Sequence, residues 1–329
     1  MRTHKTYLTA TYFEWGERSM INLSIIIPHY NSAALLRKLL HTIPRRDDFQ
    51  VIVIDDNSTK ETELLECVII DNSHCEFYIN DTGVQSAGAA RNVGMRHAVG
   101  KWLMFADADD YFLHGWEKVV EEYFESEDDY IFFGFKYFYR DTGEEVESDK
   151  KCLKMINDFF ITRDDFFLRY QGEAPWARII KHSLVVNNCI YFDQTMVSND
   201  NLFCCKCGFY AKKISANPNY IYVYTKSPPN ESLTQRADCE NWKIRRQVLI
   251  DKYYFLKVRL PKREFAKLSF PVTKLVCMSS IYCGFIFGGI QFVTFIYNGI
   301  TLGRFIRDFR ISYLTSFVKR MVDRKKYQT

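Results

Sequence analysis

Lys101-Trp102-Leu103-Met104-Phe105-Ala106-Asp107-Ala108-Asp109-Asp110 decides how the rest of this chain is read. An apolar run of strand length, bounded upstream by Gly100, delivers three carboxylates within four residues. Carboxylates crowded at a strand's end repel one another unless a cation sits between them. Hard oxygen ligands suit Mg²⁺ or Mn²⁺, and such an ion commonly bridges a few protein carboxylates to the phosphates of a nucleotide. The stretch therefore reads as a metal-diphosphate site. The competing reading is an acidic turn capping a helix that begins near Trp116.

Upstream, Leu23-Ser24-Ile25-Ile26-Ile27 and Val51-Ile52-Val53-Ile54 are short, nearly continuous apolar runs, as expected of parallel strands covered on both faces. Pro28 ends the first, and Asp55-Asp56-Asn57-Ser58 follows the second. Helices are predicted over 33–41 and 59–70, and a third strand over 75–79. Gly83 to Gly94 is rich in small residues and contains Ala89-Ala90-Arg91-Asn92, with a helix running on to about Val99. Alternating short strands and helices are the pattern of βαβ units with a parallel sheet. Ligands of such sheets bind beyond the carboxyl ends of the strands. Tyr30-Asn31, Asp55-Asp56 and Asp107-Ala108-Asp109 all fall there, so three polar clusters share one edge.

The second half is less regular. Tyr130 to Tyr139 predicts a long aromatic strand, Asp141-Thr142-Gly143 its turn, and Asp158 to Tyr170 a helix. Pro175-Trp176-Ala177-Arg178 leads into Ile179 to Val186. Asp200 stands just ahead of an apolar run that looks like a helix start, so the plain alternative to a chemical role is an N-cap. Tyr220 to Tyr224 is a last short strand before Pro228-Pro229-Asn230 breaks the chain.

With 329 residues, 47% hydrophobic and 26% charged, the chain is long enough for one large domain and an appendage. A net charge of +4 is too small to argue for nucleic acid. Basic residues gather near the end, where Arg304, Arg307, Arg310, Lys319, Arg320, Arg324, Lys325 and Lys326 are set against only Asp308 and Asp323, which suggests either an anionic partner surface such as lipid headgroups or a solvated helical face. Ten cysteines lack zinc-site or small disulfide-framework spacing, and Cys204-Cys205-Lys206-Cys207 reads as buried thiols of a reducing compartment. The first twenty residues do not make a signal peptide. From Leu275 to Gly303 no residue is formally charged over 29 positions, although Ser, Gly, Gln and Asn dilute the apolarity. The favoured reading is a helix or helical hairpin at a membrane interface, with packing on the catalytic domain and a full span as alternatives.

Ser24-Ile25-Ile26-Ile27-Pro28-His29-Tyr30-Asn31, Val53-Ile54-Asp55-Asp56-Asn57-Ser58, Ala89-Ala90-Arg91-Asn92-Val93-Gly94 and Phe105-Ala106-Asp107-Ala108-Asp109-Asp110 resemble the successive signatures of family 2 glycosyltransferases with the GT-A fold. They stand in the family's order and spacing over about Asn22 to Leu113. Ser198-Asn199-Asp200 resembles a later Glu-Asp position, with Asn199 in place of the glutamate. The resemblance fades after about Leu233. It implies an α/β GT-A fold, Rossmann-like, with a mostly parallel central sheet flanked by helices and a helical C-terminal appendage. The implied organisation is an extension over 1–20, a catalytic domain over 21–235 (nucleotide-binding half 21–115, acceptor half 116–235) and a helical region over 236–329.

The same resemblance implies an inverting transfer of a sugar from a UDP-sugar to a hydroxyl of a glycan or glycolipid acceptor, in surface polysaccharide or lipooligosaccharide assembly. Pro28, Tyr30, Asn31 and Asp56 would hold the nucleoside, and Arg91 would lie near the diphosphate. Asp107 and Asp109 would serve the nucleotide sugar and an Mn²⁺ or Mg²⁺ ion, with Asp109 the first choice of ligand and Asp110 an orienting group. Asp200 would be the general base, and Trp176 would offer a flat face to an acceptor sugar or else pack in the core. The implied location is the cytoplasm, at the inner face of the membrane. Competing readings are a non-catalytic carbohydrate-binding or scaffold protein derived from a transferase, a transferase acting on a polyprenyl-phosphate carrier, and a nucleotide-sugar pyrophosphorylase. The last would need a Gly-rich loop where Pro28-His29-Tyr30-Asn31 stands.

Overall fold

The structure, a computed structural model, describes residues 20–146, 151–227 and 238–308. The N-terminal extension up to residue 19 and the basic tail from Arg310 onward lie outside them. The chain divides into two compact units, Met1–Pro229 and Asn230–Thr329, where the sequence reading draws the boundary at 235/236.

The first unit begins β1 (Leu23–His29), α1 (Ala33–Leu40), β2 (Phe49–Asp55), α2 (Thr62–Asp71), β3 (Glu76–Ile79), α3 (Ala87–His97) and β4 (Trp102–Phe105). It continues with β5 (Tyr111–Phe112), α4 (Trp116–Glu121), β6 (Tyr130–Tyr139), α5 (Lys151–Thr162) and α6 (Phe166–Gln171). Then come β7 (Arg178–Lys181), α7 (His182–Asn187), α8 (Asn201–Tyr210) and β8 (Ile214–Lys226). One eight-stranded sheet runs β3-β2-β1-β4-β7-β6-β8-β5. Strands β1 to β4 are mutually parallel. β7 is antiparallel to β4 and β6, β6 is parallel to β8, and β5 closes the edge antiparallel to β8.

The continuous apolar runs have a plain cause: all seven residues of β1 are buried, and alternate residues feed two separate cores. Ile25, Ile27, Val51 and Val53 pack with Leu36, Leu39, Leu65, Val68 and Trp116 on one face. Ile26, Ile52, Ile54 and Phe105 pack with Ala90, Val93 and Phe203 on the other. A sheet sandwiched in this way exposes ligand-binding chain only at its ends, and the strand order reverses between β1 and β4.

Several local expectations need correction. β1 continues through Pro28 to His29. The helix expected over 158–170 is two, α5 and α6, interrupted where Arg163 adopts φ +58°. Residues 179–186 divide between β7 and α7, and the last strand is the long β8 rather than 220–224 alone. The acidic stretch does not cap α4: β5 intervenes and Gly115 occupies the N-cap.

The second unit contains α9 (Cys239–Arg259), α10 (Lys262–Lys267), α11 (Val272–Cys283), α12 (Phe285–Tyr297) and α13 (Leu302–Asp308). Asp238 caps α9, accepting from Asn241 N at 2.7 Å. The uncharged stretch is broken at Gly284, whose φ of +93° suits glycine, into the paired helices α11 and α12. Among the described residues no helix is long and apolar enough to cross a membrane. Cys239 and Cys283 form a disulfide, a pairing that the spacing of the ten cysteines does not signal. Forty-four positions separate them, so only the approach of the start of α9 to the end of α11 brings them together. Cys204, Cys205 and Cys207 are buried in α8.

Candidate active site

The carboxyl ends of the parallel strands gather the motif residues at one edge. His29 is buried after Pro28. Its Nε2 accepts from Ser32 N (3.2 Å), which leaves Nδ1 to donate to Asp55 Oδ1 (3.1 Å). Asn31, at φ +51°, donates its backbone N–H to Ser58 Oγ, and its side-chain oxygen accepts from Thr59 N and Lys60 N at 2.8 Å each. Asn31 therefore ties the loop after β1 to the loop after β2. Tyr30 stands 38% exposed beside it.

Asp56 is buried, and its Oδ1 accepts from Asn80 Nδ2 at 2.5 Å, while Asp56 N donates to His29 O at 2.7 Å. Burial, with Asp55 adding to it, raises the Asp56 carboxyl above the ordinary aspartate value against the opposing hydrogen bond from Asn80. Asn80 follows β3, and the sequence reading passes over it although it obeys the same strand-end rule.

Helix α3 carries the longest reach. Ser86 caps it, accepting from Ala89 N at 3.1 Å. Gly88 lies so close to the chain ahead of α8 that a Cβ there would meet Asp193 O at 2.1 Å and Asn199 Cβ at 2.9 Å. Asn92 clamps Phe192 on both backbone groups, each at 2.9 Å. Arg91, buried between them, donates from Nη1 to Asn199 Oδ1 (2.8 Å) and from Nη2 to Asp107 Oδ1. The Ala-Ala-Arg-Asn motif thus joins the segment bearing Asp200 to the acidic loop after β4.

That loop is held from β8. Tyr222 OH accepts from Asp107 N (2.9 Å) and donates to Asp110 Oδ2 (2.7 Å), and Thr225 N donates to Asp110 Oδ1 (2.7 Å). Asp110 is fully engaged, and burial together with Asp109 and Asp107 raises its carboxyl well above the ordinary value. Asp107 and Asp109 keep partly exposed side chains, 27% and 40%. The Asp109 carboxyl is also raised, by partial burial and then by Asp107, with Arg140 opposing. Arg140, which follows β6 and pairs with Asp109, was not foreseen from the sequence. Its place between a predicted strand and a predicted turn was the available signal.

Asp200 occupies the N-cap position of α8, yet its side chain makes no capping hydrogen bond. Burial pushes its carboxyl up to about 6, with Arg91 opposing and Glu173 and Asp107 adding. A carboxylate poised there takes a proton readily near neutrality. Trp176 is 6% exposed, stacks on Tyr222 and Tyr224, and meets Phe135 edge-on. Of the two readings of Trp176, the sugar-facing one is corrected and the core-packing one is what the structure has: the indole packs in the core against β8.

Among the described residues no group of three or more His, Cys, Asp or Glu side chains is arranged to hold a metal ion. Two partly exposed carboxylates nevertheless fit Mg²⁺ or Mn²⁺, which commonly take one or two carboxylates and complete their shell with water and substrate phosphates.

The family model described as Glycosyl transferase family 2 matches residues 24–186. The chain is 25% identical over 236 residues to the poly(ribitol-phosphate) beta-N-acetylglucosaminyltransferase TarS of Staphylococcus aureus, covering 65% of this chain and 37% of that protein. It therefore spans little more than a third of the length of this curated relative. The crystal structure of S. aureus TarS 1-349 in complex with UDP-GlcNAc superposes with a TM-score of 0.57 at 20% identity, over 91% of this chain and 81% of that one. The mannosyltransferase PcManGT from Pyrobaculum calidifontis, in complex with GDP-Man and Mn2+, gives 0.51 at 16% identity, over 93% and 88%. These structural likenesses are of fold, and the fold is the GT-A architecture expected from the motifs.

Proposed function

The chain belongs to glycosyltransferase family 2, and from that premise we propose that it transfers a sugar, with inversion, from a UDP-sugar to a hydroxyl of a growing cell-surface glycan. The observation that carries the reading is the Arg91 bridge, which ties the Asp200 segment, through Asn199, to Asp107 of the acidic loop after β4. Pro28, Tyr30 and Asn31 frame the nucleoside, and Asp56 accepts from the uracil N–H. Asp200 takes the proton of the acceptor hydroxyl. The acceptor oxygen bonds to the anomeric carbon as the bond from that carbon to the diphosphate breaks on the opposite face. Asp109 and Asp107 would hold a divalent cation, which supplies Lewis-acid stabilisation to the departing diphosphate. Alignment of donor and acceptor contributes much of the rate, and the base adds about 10²- to 10⁴-fold.

A panel of UDP-sugars, beginning with the UDP-GlcNAc held by the TarS structure, assayed for UDP release with Mn²⁺ and Mg²⁺ tests the reading. Release from one sugar well above the rest supports it; no release from any of them, with or without acceptor glycan, removes it in favour of a carbohydrate-binding role.

We further propose that the protein works at the inner face of the cytoplasmic membrane, docked on lipid through its second unit. Ile286, Ile290, Val293 and Tyr297 form an exposed apolar stripe along α12, at 84%, 55%, 63% and 90% exposure, at spacings that share one helix face. Membranes washed with high salt retain the protein if the stripe anchors it and release it if basic residues alone do so.

A further inference from the structure

We propose that Arg140 is a positioning residue that competes with the divalent cation for the carboxylate of Asp109. The inference rests on the reading of Asp109 as a metal ligand. Arg140 leaves the end of β6, and its backbone N–H donates to Lys226 O at 3.0 Å, which fixes the root of the side chain beside β8. Nη2 pairs with Asp109 Oδ2 and lies 3.5 Å from Thr225 Oγ1. Thr225 Oγ1 donates in turn to Asp109 O. Strand β8 therefore holds the guanidinium and the acidic loop in one register.

This pair is made differently from the two forked, partly buried ion pairs of the same chain, and like the exposed pairs Arg37–Asp71 and Arg96–Asp81 it rests on a single Nη2 contact. Arg46 engages Asp48 with Nε and Nη2, at 2.8 and 3.0 Å. Arg169 engages Asp165 with Nε and Nη2, at 2.7 and 2.6 Å. Both are two-point forks, the arrangement in which guanidinium and carboxylate hold each other most firmly. Arg140 meets Asp109 through Nη2 alone, and its buried Nε has no hydrogen-bond partner among the described residues. Asp109 keeps 40% of its side chain exposed.

Two cations cannot crowd one carboxylate without repelling each other. Arg140 therefore lowers the affinity of Asp109 for a metal ion arriving alone. When the ion arrives with a diphosphate, the phosphate oxygens supply acceptors for the unpartnered Nε and for the Nη2 donor that leaves Asp109, so the guanidinium moves from competitor to partner. Cation and nucleotide are bound together in preference to either alone.

The test is calorimetric titration of Mn²⁺ alone into the full chain, as wild type, Arg140→Gln, Arg140→Met and Asp109→Asn. Arg140→Gln is expected to bind Mn²⁺ roughly three- to tenfold more tightly than wild type, in the range of a partly exposed ion pair. Arg140→Met retains the apolar stem and is expected to do the same, so failure of one variant to fold leaves the other to decide. Asp109→Asn is expected to lose Mn²⁺ binding. Unchanged or weaker Mn²⁺ binding in the Arg140 variants, with loss in Asp109→Asn, overturns the competition and leaves the metal ligand standing. Undiminished binding in Asp109→Asn overturns the ligand assignment and the competition together.

Discussion

Asn199 Oδ1 accepts a hydrogen bond from Arg91 Nη1 at 2.8 Å, across 108 positions of chain. With the Asn92–Phe192 hydrogen bonds and the close approach at Gly88, it is one of the contacts through which the segment holding the proposed base meets the helix of the nucleotide-binding half. Arg91 completes the span by pairing with Asp107, so one buried guanidinium sets the position of Asp200 relative to the acidic loop.

Removing the acceptor end of that bridge should loosen the base without touching the nucleotide. Asn199→Ala is expected to lower transfer about tenfold, because small misplacement of a reacting group is costly. UDP affinity, measured by calorimetry, should stay within about twofold of wild type; a parallel loss of UDP binding would place Asn199 in nucleotide recognition instead.

The acid limb of the activity profile should report Asp200. Its carboxyl is raised to about 6, and only the ionised form takes a proton, so kcat/KM is expected to fall as pH drops below about 6. Asp200→Asn should lose about 10²- to 10⁴-fold in transfer while UDP binding persists. Wild-type transfer by the purified variant would mean that another group is the base.

The same carboxyl links activity to stability. Its pKa is raised on folding, so the stability it contributes is intact below its ordinary value of 3.8 and is lost as pH rises through about 6. Asp200→Asn, which never ionises, should therefore be more stable than wild type by about 1–2 kcal/mol at pH 7.5, after allowance for solvent screening. Near pH 4 the two proteins should melt together, and denaturant melts at the two pH values measure the difference.

Gly88 permits the contact between α3 and the chain at Asp193 and Asn199. A methyl group there would lie 2.1 Å from a backbone oxygen, which cannot swing aside as a long side chain can. Gly88→Ala should destabilise the protein by about 1–3 kcal/mol and reduce transfer by displacing the base. Thermal melting and initial rates measured on one preparation check both effects.

Tyr222 carries the hydroxyl shared by Asp107 N and Asp110 Oδ2. Tyr222→Phe keeps the ring against Trp176 and removes only the hydroxyl, leaving two buried polar groups each short of a partner. A loss of about 2–3 kcal/mol is expected on denaturant unfolding. A variant as stable as wild type would show that the acidic loop is held by Thr225 alone.

Much of the site was legible in the linear chain because a parallel sheet sends every strand's carboxyl end to one edge. Continuous burial on two faces writes each strand as an apolar run, so the residues after β1, β2 and β4 could be assigned to that edge without coordinates. Asn80 and Arg140 follow the same rule after β3 and β6 and could have been found by applying it to every strand. Trp176 was harder, since an indole reads alike whether it faces a sugar or lies against Tyr222 and Tyr224.

By itself the sequence determined the layered α/β architecture and the edge at which ligands bind, because hydrophobic periodicity and strand-end chemistry are local properties. Only the tertiary structure decided how the edge is wired: Arg91 to Asn199, Arg140 to Asp109, Tyr222 to Asp110, and Cys239 to Cys283 in the second unit. Such pairings depend on which distant elements meet in three dimensions and on what each side chain finds within hydrogen-bond reach there, information that no local spacing of residues carries.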